Sequence, residues 1–170
     1  GDPVGAASWL QQMVVQCLEP DEISYTSVIS SFARSSHSDN AERWMDKMIG
    51  AALTPDVVAY TTLAGSYGRA GDLSGVRQVF RRMAATAVQP NLLTWTAAIA
   101  ACGRARPKRS REAEDAFRAM LRQGVTPDRV CIRRLEAIVG PARCASLCGE
   151  LLPGASRFRA SDDSSRDFSY

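Results

Sequence analysis

The chain has 170 residues, 45% of them hydrophobic, and a formal net charge of +3. This length and composition suffice for one domain with a hydrophobic core, and so small a charge permits a nucleic-acid partner but excludes a polycation. The sequence contains no run of about 18 or more apolar residues, so no transmembrane helix is predicted.

The five cysteines are odd in number and lack the paired C-x-x-C spacing of a zinc site. They predict reduced, mostly buried thiols rather than a disulfide framework, and neither a metal nor a cofactor is expected. Because the sequence begins at Gly1 rather than Met, we expect a processed or trimmed product. These features alone leave the cellular compartment open.

A spacing of 35 residues organises the chain. Pro20, Pro55 and Pro90 are 35 residues apart, Pro127 follows after 37, and each proline precedes Asp or Asn. Five residues after each proline comes a large side chain, and these are Tyr25, Tyr60, Trp95 and Ile132. A fixed period of this length is typical of solenoid proteins, in which each repeat is one supersecondary unit.

Each period is predicted to form two helices. In the second full period, apolar residues recur at helical spacing from Val57 to Tyr67 and stop near Gly71, a typical helix terminator. Asp72 is then a suitable N-cap for a second helix, whose apolar stripe ends at Met83. A single hairpin cannot bury both apolar faces, so neighbouring hairpins must stack, and about three are needed for a stable array.

The predicted organisation follows in chain order. A helix from about Pro3 to Gln16 belongs to a leading half-repeat, residues 1–21. Three full repeats, 22–56, 57–91 and 92–128, precede a degenerate capping repeat, 129–152, whose last helix begins at Pro141. Residues 153–170 form a polar, extended C-terminal tail, and its candidate anchors to other proteins are Phe158, Phe168 and Tyr170.

Three segments resemble the consensus of the pentatricopeptide repeat family. They are residues 55–63 (Pro-Asp-Val-Val-Ala-Tyr-Thr-Thr-Leu), 67–73 (Tyr-Gly-Arg-Ala-Gly-Asp-Leu) and 79–83 (Val-Phe-Arg-Arg-Met). The resemblance covers roughly residues 3–152. The related tetratricopeptide repeat fits less well, because its W-x-x-L-G-x-x-Y start is absent. It implies an all-α fold, a right-handed superhelical solenoid of about four stacked antiparallel helical hairpins. It also implies an organellar protein, of chloroplast or mitochondrion, that binds single-stranded RNA at one base per repeat.

The family's base-reading residues lie at the fifth and last positions of each repeat. By resemblance, the pairs here are Thr26 with Asp56, Thr61 with Asn91, and Thr96 with Asp128. In the family's code Thr with Asp favours guanine and Thr with Asn favours adenine, so the three repeats are predicted to bind guanine, adenine and guanine. A carboxylate accepts hydrogen bonds from guanine's ring N–H and amino group, whereas an amide can also donate. The second-position residues, predicted to clamp each base, are Ile23, Val58 and Leu93.

The fourth repeat carries no base prediction. Val130 fits its second position, but Arg133 occupies the fifth and no partner ends the repeat.

Basic residues follow the same period. Arg34, Arg69 and Arg104 are each 35 residues apart and match the family's phosphate-facing position near the end of the first helix. A two-residue insertion in the third repeat adds a basic loop, whose predicted phosphate-contacting residues are Arg106, Lys108, Arg109 and Arg111.

Each of these signals has a structural alternative. The aromatic residues at the fourth position are expected to pack between hairpins rather than to stack on bases. Asp and Asn after the prolines are equally suited to cap helices, and the periodic arginines to interact with the helix C-terminal dipole. The basic loop is also compatible with ribosomal RNA, an acidic protein or a solvated surface.

The sequence does not favour an enzyme. His37 is the only histidine and lies in a short turn, so no catalytic triad can be built, and no small-molecule substrate is predicted. Cys144 and Cys148 lie one helical turn apart, but two thiolates without a nearby histidine are a poor zinc site. Besides RNA binding, we keep a second function class open, a scaffold subunit of a large organellar assembly that uses the repeats and the tail for protein contacts.

Overall fold

The computed structural model describes residues 2–151, and within this range the chain forms nine α-helices and no β-strand. Four pairs of consecutive helices, α2–α3, α4–α5, α6–α7 and α8–α9, form the hairpins, and α1 is the single helix of the half-repeat. The prediction of an all-α array of stacked hairpins is therefore confirmed. The helices are α1 (Pro3–Val15), α2 (Glu22–Arg34), α3 (Ser38–Gly50), α4 (Val57–Ala70), α5 (Leu73–Ala85), α6 (Leu92–Arg104), α7 (Ser110–Arg122), α8 (Arg129–Val139) and α9 (Pro141–Leu151).

The acidic or amide residue after each periodic proline starts the first helix of a hairpin. Asp21, Asp56, Asn91 and Asp128 hold extended backbone at the N-cap, and each accepts a hydrogen bond from the backbone N–H three residues on, at 2.7 to 3.0 Å. These bonds satisfy one of the donors that a helix start leaves unpaired. The capping alternative is thus correct for all four residues.

The second helices start less uniformly. Gly71 ends α4 in the left-handed conformation at φ 74°, and Asp72 then caps α5 through the backbone N–H groups of Ser74 and Gly75, as predicted. His37 and Arg109 occupy the same position before α3 and α7 but give no side-chain cap. His37 is exposed, as expected of a turn residue.

The first helices of successive hairpins, α2, α4, α6 and α8, pack directly against one another and form what we call the first-helix layer. The approach of α4 to α6 is so close that a Cβ atom on Gly68 would lie 2.7 Å from the main-chain oxygen of Ala97. Glycine is therefore required there by space rather than by backbone angle.

The second helices are further apart and are joined by long side chains. Arg82 of α5 pairs with Glu42 and Asp46 of α3, and Arg143 of α9 pairs with Glu114 of α7. Because the first helices approach each other more closely than the second helices do, the array curves with the first-helix layer on its inner side.

The hydrophobic core divides at α6. One cluster, the N-terminal cluster, lies between α1 to α5 and one side of α6, and it contains Trp44. The other, the C-terminal cluster, lies between the opposite side of α6 and α7 to α9, and it contains Trp95. Leu73 and Phe80 of α5 pack against both clusters. The aromatic residues of the fourth position are buried as predicted, and they are Tyr25, Tyr60 and Trp95.

Helix α1 exposes large apolar side chains. Trp9 occupies the position that Trp44 holds one period later, yet Trp9 is 71% exposed and Trp44 only 7%. Trp44 packs against Tyr25 of its own first helix, with ring centroids 6.2 Å apart, whereas the half-repeat has no first helix among the described residues. Among residues 2–151, no helix has the length and apolar character needed to cross a membrane.

Candidate nucleic-acid interface

The first-helix layer carries a row of exposed apolar side chains. Ile23, Val58, Leu93 and Val130, the second residues of their repeats, are 75%, 52%, 63% and 51% exposed. Each directly follows the first residue of its helix, and the first buried residue comes one position later in α4, α6 and α8 and two positions later in α2. Exposed aliphatic residues repeated at one position are not needed by the core, so they favour a ligand-contacting surface.

The first predicted base-reading pair lies in an open cavity of about 490 Å³ between α2 and α4. Thr26 and Asp56 line it, flanked by Ile23 and Val58, and Arg34 lies at the same cavity. The structure therefore brings together the four predicted residues of this repeat and Val58 of the next. Further hydroxyl groups in the cavity wall come from Ser27, Ser30 and Ser31.

Asp56 is at once a cap and a cavity residue. Its Oδ1 accepts the backbone N–H of Ala59 at 2.8 Å, and Oδ2 has no hydrogen-bond partner within residues 2–151. Helix capping therefore occupies only one of the two carboxylate oxygens. The other oxygen is available as an acceptor, so the capping and ligand-binding alternatives do not exclude each other.

The second pair is already hydrogen-bonded. Thr61 Oγ1 lies 3.4 Å from Asn91 Oδ1 and 3.0 Å from the hydroxyl oxygen of Thr94. Thr94 also donates its backbone N–H to Asn91 Oδ1 at 3.0 Å, and its hydroxyl lies 3.0 Å from the same oxygen. The pair thus forms part of a three-residue network that joins α4 to α6.

The third pair is less accessible. Asp128 is exposed and caps α8 through the backbone N–H of Cys131 at 2.7 Å. Thr96 is 8% exposed, and its hydroxyl oxygen is buried beside the Cys131 thiol. This oxygen does not reach solvent, whereas Thr26 lines an open cavity.

The periodic arginines fasten the repeats to one another. Arg69 donates to the main-chain carbonyl of Ala33 at 2.6 Å, and Arg104 to that of Gly68 at 3.5 Å. Each guanidinium thereby satisfies a carbonyl near the end of the preceding first helix, rather than serving only the helix that carries it. All three periodic arginines, including Arg34, are exposed, so donors remain for a phosphate.

A second cavity, of about 300 Å³, gathers positive charge between α4, α6 and α8. Thr61 and Thr96 line it together with Arg69, Arg104 and Arg134. Sequence reasoning missed Arg134. It stands at the sixth position of the fourth repeat, one residue after the arginine that interrupts the expected pattern, and that run of two arginines was the only available signal.

Most of the basic loop lies in the exposed connection between α6 and α7, but Arg111 lies in the first turn of α7. The loop is anchored by a hydrogen bond from the Arg109 N–H to the Cys102 carbonyl at 3.0 Å, and the Arg109 side chain pairs with Glu112 at 3.3 Å. The remaining basic residues of the loop line neither cavity of the first-helix layer, and they are Arg106, Lys108 and Arg111.

All five cysteines lie within residues 2–151 and are free. Burial raises the pKa of Cys102 and Cys131 to about 11 and that of Cys144 to about 12, so these thiols stay protonated at neutral pH. Cys17 is exposed and Cys148 is half-buried, so burial holds for three of the five predicted thiols. In the described part of the chain, no three His, Cys, Asp or Glu side chains are arranged to hold a metal.

The predicted tail anchors, Phe158, Phe168 and Tyr170, lie outside the described residues.

Comparison with known families matches two parts of the chain. Residues 45–105 match the model of the pentatricopeptide repeat domain, and residues 23–51 match that of the PPR repeat. No curated protein matches the sequence significantly.

Solved structures with the same fold include proteins in complex with RNA. The pentatricopeptide repeat protein PPR10 from maize is 25% identical over 91% of this chain, with a TM-score of 0.71. PPR10 in complex with an 18-nt psaJ RNA element is 21% identical over 89% of this chain, with a TM-score of 0.70. The PPR domain of Arabidopsis thaliana protein-only RNase P 1 in complex with tRNA is 16% identical over 89%, also with a TM-score of 0.70. The chain spans 22% and 24% of the two PPR10 chains and 79% of the RNase P domain.

Proposed function

The chain belongs to the pentatricopeptide repeat proteins, and on that basis we propose that its first-helix layer binds single-stranded RNA, one base per repeat. The observation that carries the proposal is the first cavity, where Thr26 and Asp56 lie between the exposed aliphatic residues Ile23 and Val58. A planar base fits between two aliphatic side chains, with its Watson–Crick edge toward the hydroxyl and carboxylate. This arrangement supplies the apolar contact and the hydrogen bonds that recognition of an unstacked base requires.

The proposed base sequence is guanine, adenine, guanine. The free carboxylate oxygens of Asp56 and Asp128 are acceptors for guanine's N1–H and amino group, and the Asn91 amide offers a donor to adenine N1. Because Thr96 has a buried hydroxyl, the third base is expected to contribute least. Arginines at the two cavities would neutralise phosphates, and they are Arg34, Arg69, Arg104 and Arg134.

The affinity of this array alone is expected to be modest. By analogy with the stacking of a base on an aromatic side chain, each base contact contributes about 1–3 kcal/mol, and ordering the RNA offsets part of that gain. The proposed role is therefore non-catalytic recognition in organellar RNA processing, stability or translation, beside a partner that supplies further affinity.

The proposal is tested by titrating the purified chain with short single-stranded RNAs that contain either G-A-G or C-U-C, at low and at physiological salt. We expect tighter binding to G-A-G, with affinity that falls as salt rises because phosphate contacts release counterions. Equal binding to the two RNAs would remove the base assignments. No binding to either at low salt would remove the RNA function.

A scaffold role is the second candidate, and the exposed apolar residues of α1 favour it. Val4, Trp9 and Val15 are 70%, 71% and 81% exposed, and such grouping on one helix is typical of a protein contact. A Trp9→Ser variant should then leave the native assembly on a sizing column, while Gln11→Ser, at an exposed polar residue of the same helix, should not. Deletion of residues 154–170 tests the tail separately, and unchanged co-migration of the deletion variant would exclude it as the anchor.

A further inference from the structure

Thr94 lies at the centre of the second base-reading pair, although the family's code assigns it no role. Its side chain is 0% exposed, and its hydroxyl oxygen lies 3.0 Å from both Thr61 Oγ1 and Asn91 Oδ1. Because the hydroxyl has no access to solvent, these two atoms determine where its proton points.

The orientation of the Asn91 amide follows from the helix cap. The backbone N–H of Thr94 donates to Asn91 at 3.0 Å, and only the amide oxygen can accept it. The NH₂ group of Asn91 is therefore the part left for a ligand, so Asn91 presents a donor.

The direction of the Thr61 proton follows from the same network. Asn91 Oδ1 carries no proton, so the Thr94 hydroxyl donates to it and can only accept from Thr61. The alternative, direct donation from Thr61 to Asn91 Oδ1, is longer at 3.4 Å than the 3.0 Å to Thr94. Thr61 thus uses its proton within the protein and keeps its oxygen lone pairs for a ligand, so Thr61 presents an acceptor.

We propose, on the basis of the RNA-binding function above, that Thr94 is a positioning residue that makes this pair selective for adenine. An acceptor on Thr61 beside a donor on Asn91 is the complement of adenine, whose amino group donates and whose N1 accepts. Guanine offers O6, an acceptor, and N1–H, a donor, in the same places and is rejected at both.

The first base-reading pair has no hydroxyl equivalent to that of Thr94. Ala59 stands where Thr94 stands in the second pair, so no side-chain hydroxyl accepts the Thr26 proton, and Thr26 Oγ1 has no hydrogen-bond partner within residues 2–151. Thr26 is then free to donate to guanine O6 while Asp56 accepts from N1–H. The contrast between Ala59 and Thr94 thereby sets whether the threonine of each of these two pairs donates or accepts.

The test compares the wild-type chain with Thr94→Val and Thr94→Ser, using RNAs that contain G-A-G or G-G-G. Valine keeps the branched shape and the backbone N–H but removes the hydroxyl, whereas serine keeps the hydroxyl. We expect wild type and T94S to prefer G-A-G, and T94V to lose roughly fivefold of that preference, as for one hydrogen bond. Both RNAs remain measurable because the flanking guanines still bind.

The ratio of the two Kd values separates the outcomes. If Thr94 only supports packing, T94V weakens binding to both RNAs equally and keeps the wild-type ratio, which would overturn the proposal. Loss of the preference in T94S as well as in T94V would also overturn it, because the hydroxyl would not be the cause. If wild type binds G-A-G no better than C-U-C, the proposed base assignments fail and this inference with them, whereas the RNA function itself fails only if neither RNA binds at low salt.

Discussion

Asp56 combines helix capping with base recognition, and two substitutions separate these roles. Asp56→Ala removes the 2.8 Å bond to the Ala59 N–H as well as the free carboxylate oxygen. Loss of a cap costs about 1 kcal/mol, which corresponds to a fall of about 2–4 °C in Tm for a chain of this size. Asp56→Asn keeps a capping oxygen, and Asn91 caps α6 with the same geometry at 3.0 Å, so D56N should unfold near the wild-type temperature.

The two variants should differ again in RNA binding. D56N replaces an acceptor with a donor, so the preference at the first base should move from guanine toward adenine, whereas D56A should lose preference altogether. Hydrogen bonds to a charged group are worth about 1.5–3 kcal/mol, so the guanine preference should fall by at least tenfold in both variants. Thermal unfolding followed by circular dichroism and anisotropy titration with G-A-G or A-A-G RNA measure the two effects.

Asp21 provides the matched control. It caps α2 through the Ser24 N–H at 2.8 Å, and no first helix that could carry a fifth-position partner precedes it among residues 2–151. Asp21→Ala should therefore lower the Tm without changing base preference. The reasoning is refuted if D56N is as unstable as D56A, or if D21A changes the preference as Asp56 variants do.

Three further predictions concern charge and reactivity. A hydrogen bond from Arg143 lowers the pKa of Glu114, so the pair stabilises the fold above the ordinary carboxyl pKa of about 4 and the gain is lost as pH falls through the lowered value. The difference in urea midpoint between wild type and Glu114→Gln should therefore shrink on acidification, and a constant difference would contradict this. In native labelling with maleimide, exposed Cys17 should react first, and equal rates for all thiols would show that the buried cysteines are not protected. The thiols expected to react slowly are Cys102, Cys131 and Cys144. Arg134→Gln should reduce the slope of log K against log salt by about 0.7, as for one phosphate of a single strand, and an unchanged slope would remove Arg134 from the RNA surface.

The sequence predicts the hairpins well because one local signal marks every repeat. Proline followed by Asp or Asn fixes where each first helix begins, and the cap is made within three residues of the chain. Gly71 and Asp72 act over a similarly short range. Features that depend only on neighbouring residues could therefore be placed to within a residue or two.

Contacts between repeats were beyond sequence reasoning. The bond from Arg69 to the Ala33 carbonyl spans 36 residues, and the role of Thr94 depends on the separation of α4 from α6. Arg134 was not predicted as an RNA-contacting residue because the fourth repeat departs from the period. Its position at the same cavity as Thr96 therefore had no counterpart in the other repeats. The base assignments of the three pairs stay predictions.

Because the core divides at α6, tryptophan fluorescence can report on the unfolding of each half of the array. Each hydrophobic cluster holds one buried indole, Trp44 in the N-terminal cluster and Trp95 in the C-terminal cluster, and Trp9 is the third tryptophan of the chain. Stacked repeats contact only their neighbours, so the two halves of a solenoid can lose structure separately. With Trp9 and one of the two buried tryptophans replaced by phenylalanine, the emission of the remaining indole follows one half of the array. Comparing the two such variants during unfolding measures how strongly α6, which lies between the clusters, couples the two halves.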